Sequence, residues 1–452
     1  MMDLLIKGVE IADPINGRFY CNIGIKDHKI KMVSEQNIEA EKIIEASGLI
    51  AAPGFIDIHM HESEVTEETA SLEMFEHMAR MGVTTAVGGN CGLNTCKKSA
   101  AGYFNLLEQS GIPINYVGFT GYGYSREQQG HELNRPLTYP EFEELAPLIR
   151  NDLEKGACGV SLGLEYVPGI STEEMIWLGQ LVKEYPDRLI SAHYRYDSDR
   201  SLEALAELII LSRETGVPLQ ISHIGSCNAF GQMDSALEMF DAALKAGVDI
   251  SADVYPYNAF STMIGSAVFD EGCFERLRAS YDSLLVTEGK YRGHKCTEDM
   301  FLELRSQAPD TLIVAFVMDE NEVITALKHP EIMIASDGFL RSGQGHPRAS
   351  GAFPRAIGKY VREEKHLDLV EAVKKMTLLP ARRLGLTQKG RVAADYDADL
   401  VLFDFNKISD RSNYEKPAVP PEGIEHVLVG GKQVVCNSKY TGGDSGTVIR
   451  TG

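Results

Sequence analysis

Four of the chain's twelve histidines close short apolar runs. His59 and His61 end "GFIDIHMHESE", His193 closes "LISAH" and His223 closes "LQISH". Cys91 follows a similar run in "TTAVGGNCG", and Asp337 another in "IMIASDG". Neutral imidazole, thiolate and carboxylate are the donors that zinc and related divalent metals take. Residues i and i+2 of a strand share a face, so His59 and His61 point the same way and suit one ion. Each residue alone also has a plain reading. A strand-end histidine satisfies its own hydrogen bonds, Cys91 fills core, and Asp337 before Gly338 makes an Asp-Gly turn. The glycines flanking Cys91 do let the backbone turn tightly. Taken together, at equivalent positions, the set favours a metal centre, with Asp337 either that turn residue or, facing the metal, a proton shuttle. Beyond the last run, "GQGHPRASGAFPR" offers Arg348 and Arg355. These are surface cations or, for an arginine just past that strand, a bidentate grip on a substrate carboxylate. Cys96, Cys158 and Cys227 lie near the runs but off the donor positions and are read as filler. Glu62 and Glu64 are read as loop residues.

Such a set must be brought to one place by the elements that carry it. Eight apolar, β-branched runs can be counted, at 55–61, 84–89, 114–121, 157–163, 189–195, 219–225, 249–256 and 332–338. Amphipathic helical stretches such as "SLEALAELIILSRETG" separate most of them. Buried strands alternating with helices imply parallel βα units, and eight units suit a (β/α)8 barrel. Such a barrel carries its site at the C-terminal ends of its strands, where the candidate residues fall. An open doubly wound sheet is the alternative, weakened by the absence of GxGxxG after the first strand. The run "TLIVAFVMD" at 311–319 is surplus and is read as an extra strand between the seventh and eighth. The segment before 54 and the one after 387 are β-rich and punctuated by turn residues. The expected domains are therefore 54–387, a catalytic barrel, with 1–53 and 388–452 in a small β-structure.

Bulk composition narrows the partners. The chain has 452 residues, 44% hydrophobic, with 65 acids against 44 Lys plus Arg and a formal charge of −21. Nucleic acid and anionic membranes would be repelled on average, so neither is expected as a partner. Eight cysteines show no CxxC or paired spacing, which suits reduced thiols and the cytoplasm. The N-terminal "MMDLLIKGVEIADP" does not read as a signal peptide, and no run reaches the roughly 18 apolar residues of a membrane helix.

The ordered motifs resemble the amidohydrolase superfamily, and within it the D-aminoacylase (N-acyl-D-amino-acid deacylase) family. The resemblance spans most of the chain, through "PGFIDIHMHE", "GGNCG", "GVSLGLEYVPG", "SAHYRYDSD", "GVPLQISH", "DVYPYNAFST", "IASDG", "HPRASGAFPRAIGKYVRE" and "KGRVAADYDADLVLFD". It implies a TIM barrel beside a small β-sandwich built from both termini. It implies a zinc ion held tightly by Cys91, His193 and His223, and a second, weaker position at His59 and His61 near Asp337. Asp337 matches the catalytic aspartate, Arg348 the arginine on the α-carboxylate, Tyr255 the tyrosine that polarises the scissile carbonyl, and Ser261 a hydroxyl near the carboxylate. The implied reaction is hydrolysis of an N-acyl-D-amino acid, a small molecule with a carboxylate, or of a related dipeptide.

Two residues depart from the family pattern. Gly225 stands where the family has a lysine at the substrate, in "HLK". Glu165, beside Tyr166, stands where an apolar residue lines the side-chain pocket. Glu165 and Tyr166 are accordingly expected at the substrate, unless Glu165 faces solvent. A cyclic amide or imide hydrolase of the dihydroorotase or hydantoinase kind is the rival on the same fold. It usually carries a carboxylated lysine on the fourth strand, where "ACGVSLGLEY" has none. A non-catalytic barrel acting in assembly is the rival of another class. Oligomeric state is left open by the sequence.

Overall fold

The computed structural model describes residues 1–65 and 69–452. Eight parallel strands form the barrel: β1 (Phe55–Asp57), β2 (Val83–Gly88), β3 (Asn115–Gly118, resuming at Thr120–Gly121), β4 (Gly159–Gly163), β5 (Leu189–His193), β6 (Leu219–Ile221), β7 (Ile250–Val254) and β8 (Ile332–Ile334). Each pairs with the next in parallel register. The parallel bridge Met60–Gly338 joins the end of β1 to the end of β8 and closes the ring. All eight expected runs thus contain barrel strands. Both faces of these strands are covered, which is why they read as unbroken apolar stretches rather than alternating ones.

The helices between strands follow their sequence signals. In Ser201–Thr215, Leu205, Leu208, Leu211 and Ser212 are buried at helical spacing, and Gly216 ends the helix at φ +69°. Ser171 caps Thr172–Lys183 by accepting the Glu174 N–H.

The surplus run contributes the central strand, Leu312–Ala315, of a three-stranded antiparallel sheet with Phe260–Met263 and Leu284–Val286. This sheet lies between β7 and β8 in sequence and walls one side of the site. The two termini meet in a single nine-stranded sheet, joined where Ile50–Pro53 pairs antiparallel with Leu400–Phe403. It encloses its own core, including Ile6, Val9, Ile11, Ile23, Leu400 and Leu428. The last residues behave differently from the rest of that segment. Gly446 and Val448 form bridges to Ile112 and Tyr116, so the tail leaves the small sheet and lies along the barrel. Arg188 holds it there by donating to the carbonyls of Thr451 (2.6 Å) and Gly452 (3.2 Å).

Candidate active site

The strand ends converge as expected. Cys91 Sγ lies 3.3 Å from His59 Nε2, 3.6 Å from His223 Nε2 and 3.9 Å from His193 Nδ1. His193 Nδ1 and His223 Nε2 are 2.9 Å apart. On the other side, Asp337 Oδ1 lies 3.2 Å from His61 Nε2 and 3.5 Å from His59 Nε2. Donor atoms of His59, Cys91 and His223 fall within 4.8 Å of one another, as do those of His59, His61 and Asp337. His59 is therefore shared by two neighbouring donor sets, with Cys91 against it in the first. Sulfur, imidazole and carboxylate donors clustered at these distances suit a cation once the imidazoles give up their protons, and sulfur with imidazole suits zinc.

The backbone conformation needed to aim these side chains is uncommon. Cys91, His223 and Asp337 have φ of +56°, +31° and +49°. Non-glycine residues there cost about 1–3 kcal/mol each and persist only when the surroundings hold them. Those surroundings are visible. Ser161 of β4 pins the Cys91 turn, accepting the Gly92 N–H (3.0 Å) and donating to the Gly89 carbonyl. Asn90 donates to the carbonyls of Val87 and Ile58 and accepts from Ser191. Asp253 of β7 accepts the His223 N–H at 3.0 Å and the Gln220 side-chain N–H at 2.7 Å. The Asp337 N–H donates to the His59 carbonyl at 2.8 Å. Asp57 accepts the N–H groups of His59 and Ser336, tying β1 to β8. These supporting residues were missed in the sequence. Their signal is a polar residue inside an otherwise apolar strand: Asp57 in "FIDIH", Ser161 in "GVSLG", Asp253 in "ISADV".

Charge is arranged to match. Burial opposes ionisation of the Cys91 thiol, but His59, His193 and His223 around it hold its pKa well below the ordinary value. Burial likewise opposes the Asp337 carboxylate, and Arg348, His223 and His61 outweigh it, keeping the group well below its usual range. Arg348 Nη2 is 2.8 Å from Asp337 Oδ2 and donates weakly to the Ser261 carbonyl at 3.4 Å. Its Nε and Nη1 are buried with no partner among the described residues. Two buried donors on a guanidinium call for an anion.

A cavity of about 300 Å³ opens onto this centre, lined by His61, Cys91, Tyr166, His223, Ser261, Asp337 and Arg348 among others. Glu64 lines it too, while Glu62 is buried against the hydroxyls of Tyr116 and Thr95.

Two expected site residues do not line this cavity. The Tyr255 hydroxyl points at Met318 Sδ, 3.7 Å away, and the residue does not line the cavity; its ring lies 4.4 Å from the Arg348 guanidinium carbon. Glu165 neither lines the cavity nor faces solvent; its Oε2 lies 3.1 Å from His193 Nε2. Gly225 is buried, and a Cβ there would come within 2.8 Å of Val254 Cγ2, so the family lysine does not fit without a shift of that side chain. Arg355 donates to the Pro256 carbonyl and pairs with Asp410, away from the centre. The fourth strand offers Ser161 and no lysine, which disfavours the cyclic-amide rival.

Comparison with known proteins agrees with this geometry. Residues 183–435 match the family model described as "Amidohydrolase family". An N-acyl-D-glutamate deacylase of Alcaligenes xylosoxydans xylosoxydans is 32% identical, covering 95% of this chain and 93% of its own. A D-aminoacylase from the same organism is 30% identical, over 99% and 97%. The crystal structure of an N-acyl-D-glutamate deacylase from Bordetella bronchiseptica, complexed with zinc and a phosphonate mimic of the tetrahedral intermediate, superposes with a TM-score of 0.87 at 29% identity over 99% of both chains. Together with the converged cysteine, histidines and aspartate, these matches show that the chain belongs to the amidohydrolase family, on its N-acyl-D-amino-acid deacylase branch.

Proposed function

We propose that the protein is a zinc-dependent hydrolase of N-acyl-D-amino acids, releasing a carboxylate and a free D-amino acid. The observation that carries this reading is Arg348, which lines the same cavity as the Cys91 centre and keeps two buried donors, Nε and Nη1, without a partner among the described residues. Cys91, His193 and His223 would hold the first ion, and His59 and His61, with Asp337, a weaker second one. A zinc ion bound there supplies Lewis-acid polarisation and a water acidified to a pKa of about 7.

The chain's own groups do the rest. Arg348 binds the substrate α-carboxylate through charge-assisted hydrogen bonds from its unpaired donors, fixing the D-configured centre relative to Asp337. Tyr255 braces that guanidinium by a cation–π contact. Asp337, ionised in the resting site, takes a proton from the attacking water and returns it to the leaving nitrogen. Tyr166 and Ser261 flank the substrate. The barrel, 54–387, carries the chemistry, while 1–53 and 388–452 stand beside it as a non-catalytic unit. The cytoplasm is the proposed compartment, since all eight cysteines are free.

Hydrolysis of paired N-acyl-D- and N-acyl-L-amino acids, with N-acyl dipeptides included, tests this reading. D-selective cleavage of the linear amides is expected. Equal rates on both enantiomers would remove the role given to Arg348, and cleavage of cyclic imides alone would replace the reaction class.

A further inference from the structure

We propose that Glu165 is a positioning residue of the metal centre, which fixes the tautomer of His193 and raises its affinity for the ion. The inference rests on the proposed metal site. A carboxylate only accepts hydrogen bonds, so the ring nitrogen facing it carries the hydrogen. Glu165 Oε2 faces His193 Nε2 at 3.1 Å. The lone pair is thereby committed to Nδ1, the atom that faces His223 Nε2 at 2.9 Å and Cys91 Sγ at 3.9 Å. Carboxylate partners of this kind orient a ligating imidazole and make it more basic.

Three further contacts show that the arrangement is built. The Leu164 and Glu165 N–H groups donate to the carbonyls of His193 and Tyr194, at 3.3 and 3.0 Å, fastening the loop after β4 to the end of β5. The Tyr166 ring packs on the His193 ring with centroids 4.6 Å apart. The Glu165 and His193 side chains are only 11% and 6% exposed, so their hydrogen bond is shielded from water.

A different use of the same atoms is conceivable in geometry. Glu165, His193 and Asp197 place donor atoms within 4.8 Å of one another, and Asp197 Oδ1 is buried without a partner among the described residues. A cation there, with another on Nδ1, would strip both hydrogens from one imidazole. The hydrogen-bonded arrangement avoids that anion and is the one favoured.

The test compares full-length wild type, Glu165→Gln, Glu165→Leu and Cys91→Ala by zinc competition against a chelator, with visible spectra of the cobalt-substituted proteins. Glu165→Leu is expected to weaken the tight zinc by about 10–100-fold and to alter the cobalt spectrum. Glu165→Gln, which still accepts through Oε1, is expected to recover part of the loss. Wild-type zinc affinity in Glu165→Leu would overturn the proposal. Loss of a whole equivalent of zinc from Glu165→Leu, with the tight ion undisturbed, would replace it with an additional cation site. Cys91→Ala separates the two layers: if it keeps its tight zinc, the metal site itself is misassigned.

Discussion

The two halves of the candidate metal centre are built to different standards. In the Cys91 half, the ring nitrogens turned away from the thiolate are both engaged: His193 Nε2 by Glu165 and His223 Nδ1 by the Ser226 hydroxyl at 2.8 Å. In the other half, Nδ1 of His59 and Nδ1 of His61 are buried with no hydrogen-bond partner among the described residues. Asp253 comes no closer than 3.6 Å to the first of them. A ligand whose far side is held loses less freedom on binding and presents the correct tautomer. On the proposed assignment, the braced half is the one suited to tight binding. The unbraced half shares its aspartate with Arg348 and, on the proposed mechanism, with proton transfer, and a looser ion would suit that shared duty.

Substitutions can break or sharpen this contrast. Cys91 borders both halves, so its loss is expected to do most. Cys91→Ala should lose nearly all bound zinc by elemental analysis, and turnover should fall by more than the roughly 10²–10⁴-fold that one acid–base group supplies. Asp337→Asn should lose about 10²–10⁴-fold in kcat while keeping the first ion, separating proton transfer from metal binding. Arg348→Met removes charge-assisted hydrogen bonds of about 1.5–3 kcal/mol, or roughly 10–150-fold in kcat/KM, and should erase the preference for D over L substrates in paired assays.

The smallest effect is expected at His61. His61→Ala should weaken only the second ion, leaving the first equivalent in place in a zinc titration. A pH series sharpens the same point. Burial alone would lower the His61 pKa, but its hydrogen bond to Asp337, with Cys91 nearby, raises it to about 9 in the metal-free protein. The folded value lies above the unfolded one, so this pair's stabilisation is complete below about 6.5 and is lost as pH rises through about 9. An ion competing for the same nitrogen should bind more tightly across that window, by up to about tenfold per pH unit. Binding at the second position that does not depend on pH between 6.5 and 9 would contradict the pairing.

The sequence made some of this legible and hid the rest for physical reasons. The barrel strands were readable because burial on both faces leaves a continuous apolar run, and the donors because each closes such a run. The extra strand at Leu312–Ala315 was visible for the same reason. The left-handed backbone at Cys91, His223 and Asp337 was not, since it is imposed by Ser161, Asp253 and the His59 carbonyl, all distant in sequence. The place of Glu165 was not legible, because a position on the loop after β4 fits a pocket wall as well as the far side of an imidazole; only the closeness of β5 brings it to His193. The place of Tyr255 was hidden similarly, since its ring contact with Arg348 joins residues far apart in sequence. The tail at 446–451 carried turn and β signals alike, and its docking against Tyr116 depends on a barrel edge far upstream.

The most direct test of the contrast is anomalous diffraction at the zinc edge from crystals prepared with one equivalent of zinc. The expected result is a single ion among Cys91 Sγ, His193 Nδ1 and His223 Nε2. An ion seated instead among His59, His61 and Asp337, with the cysteine half vacant, would contradict it.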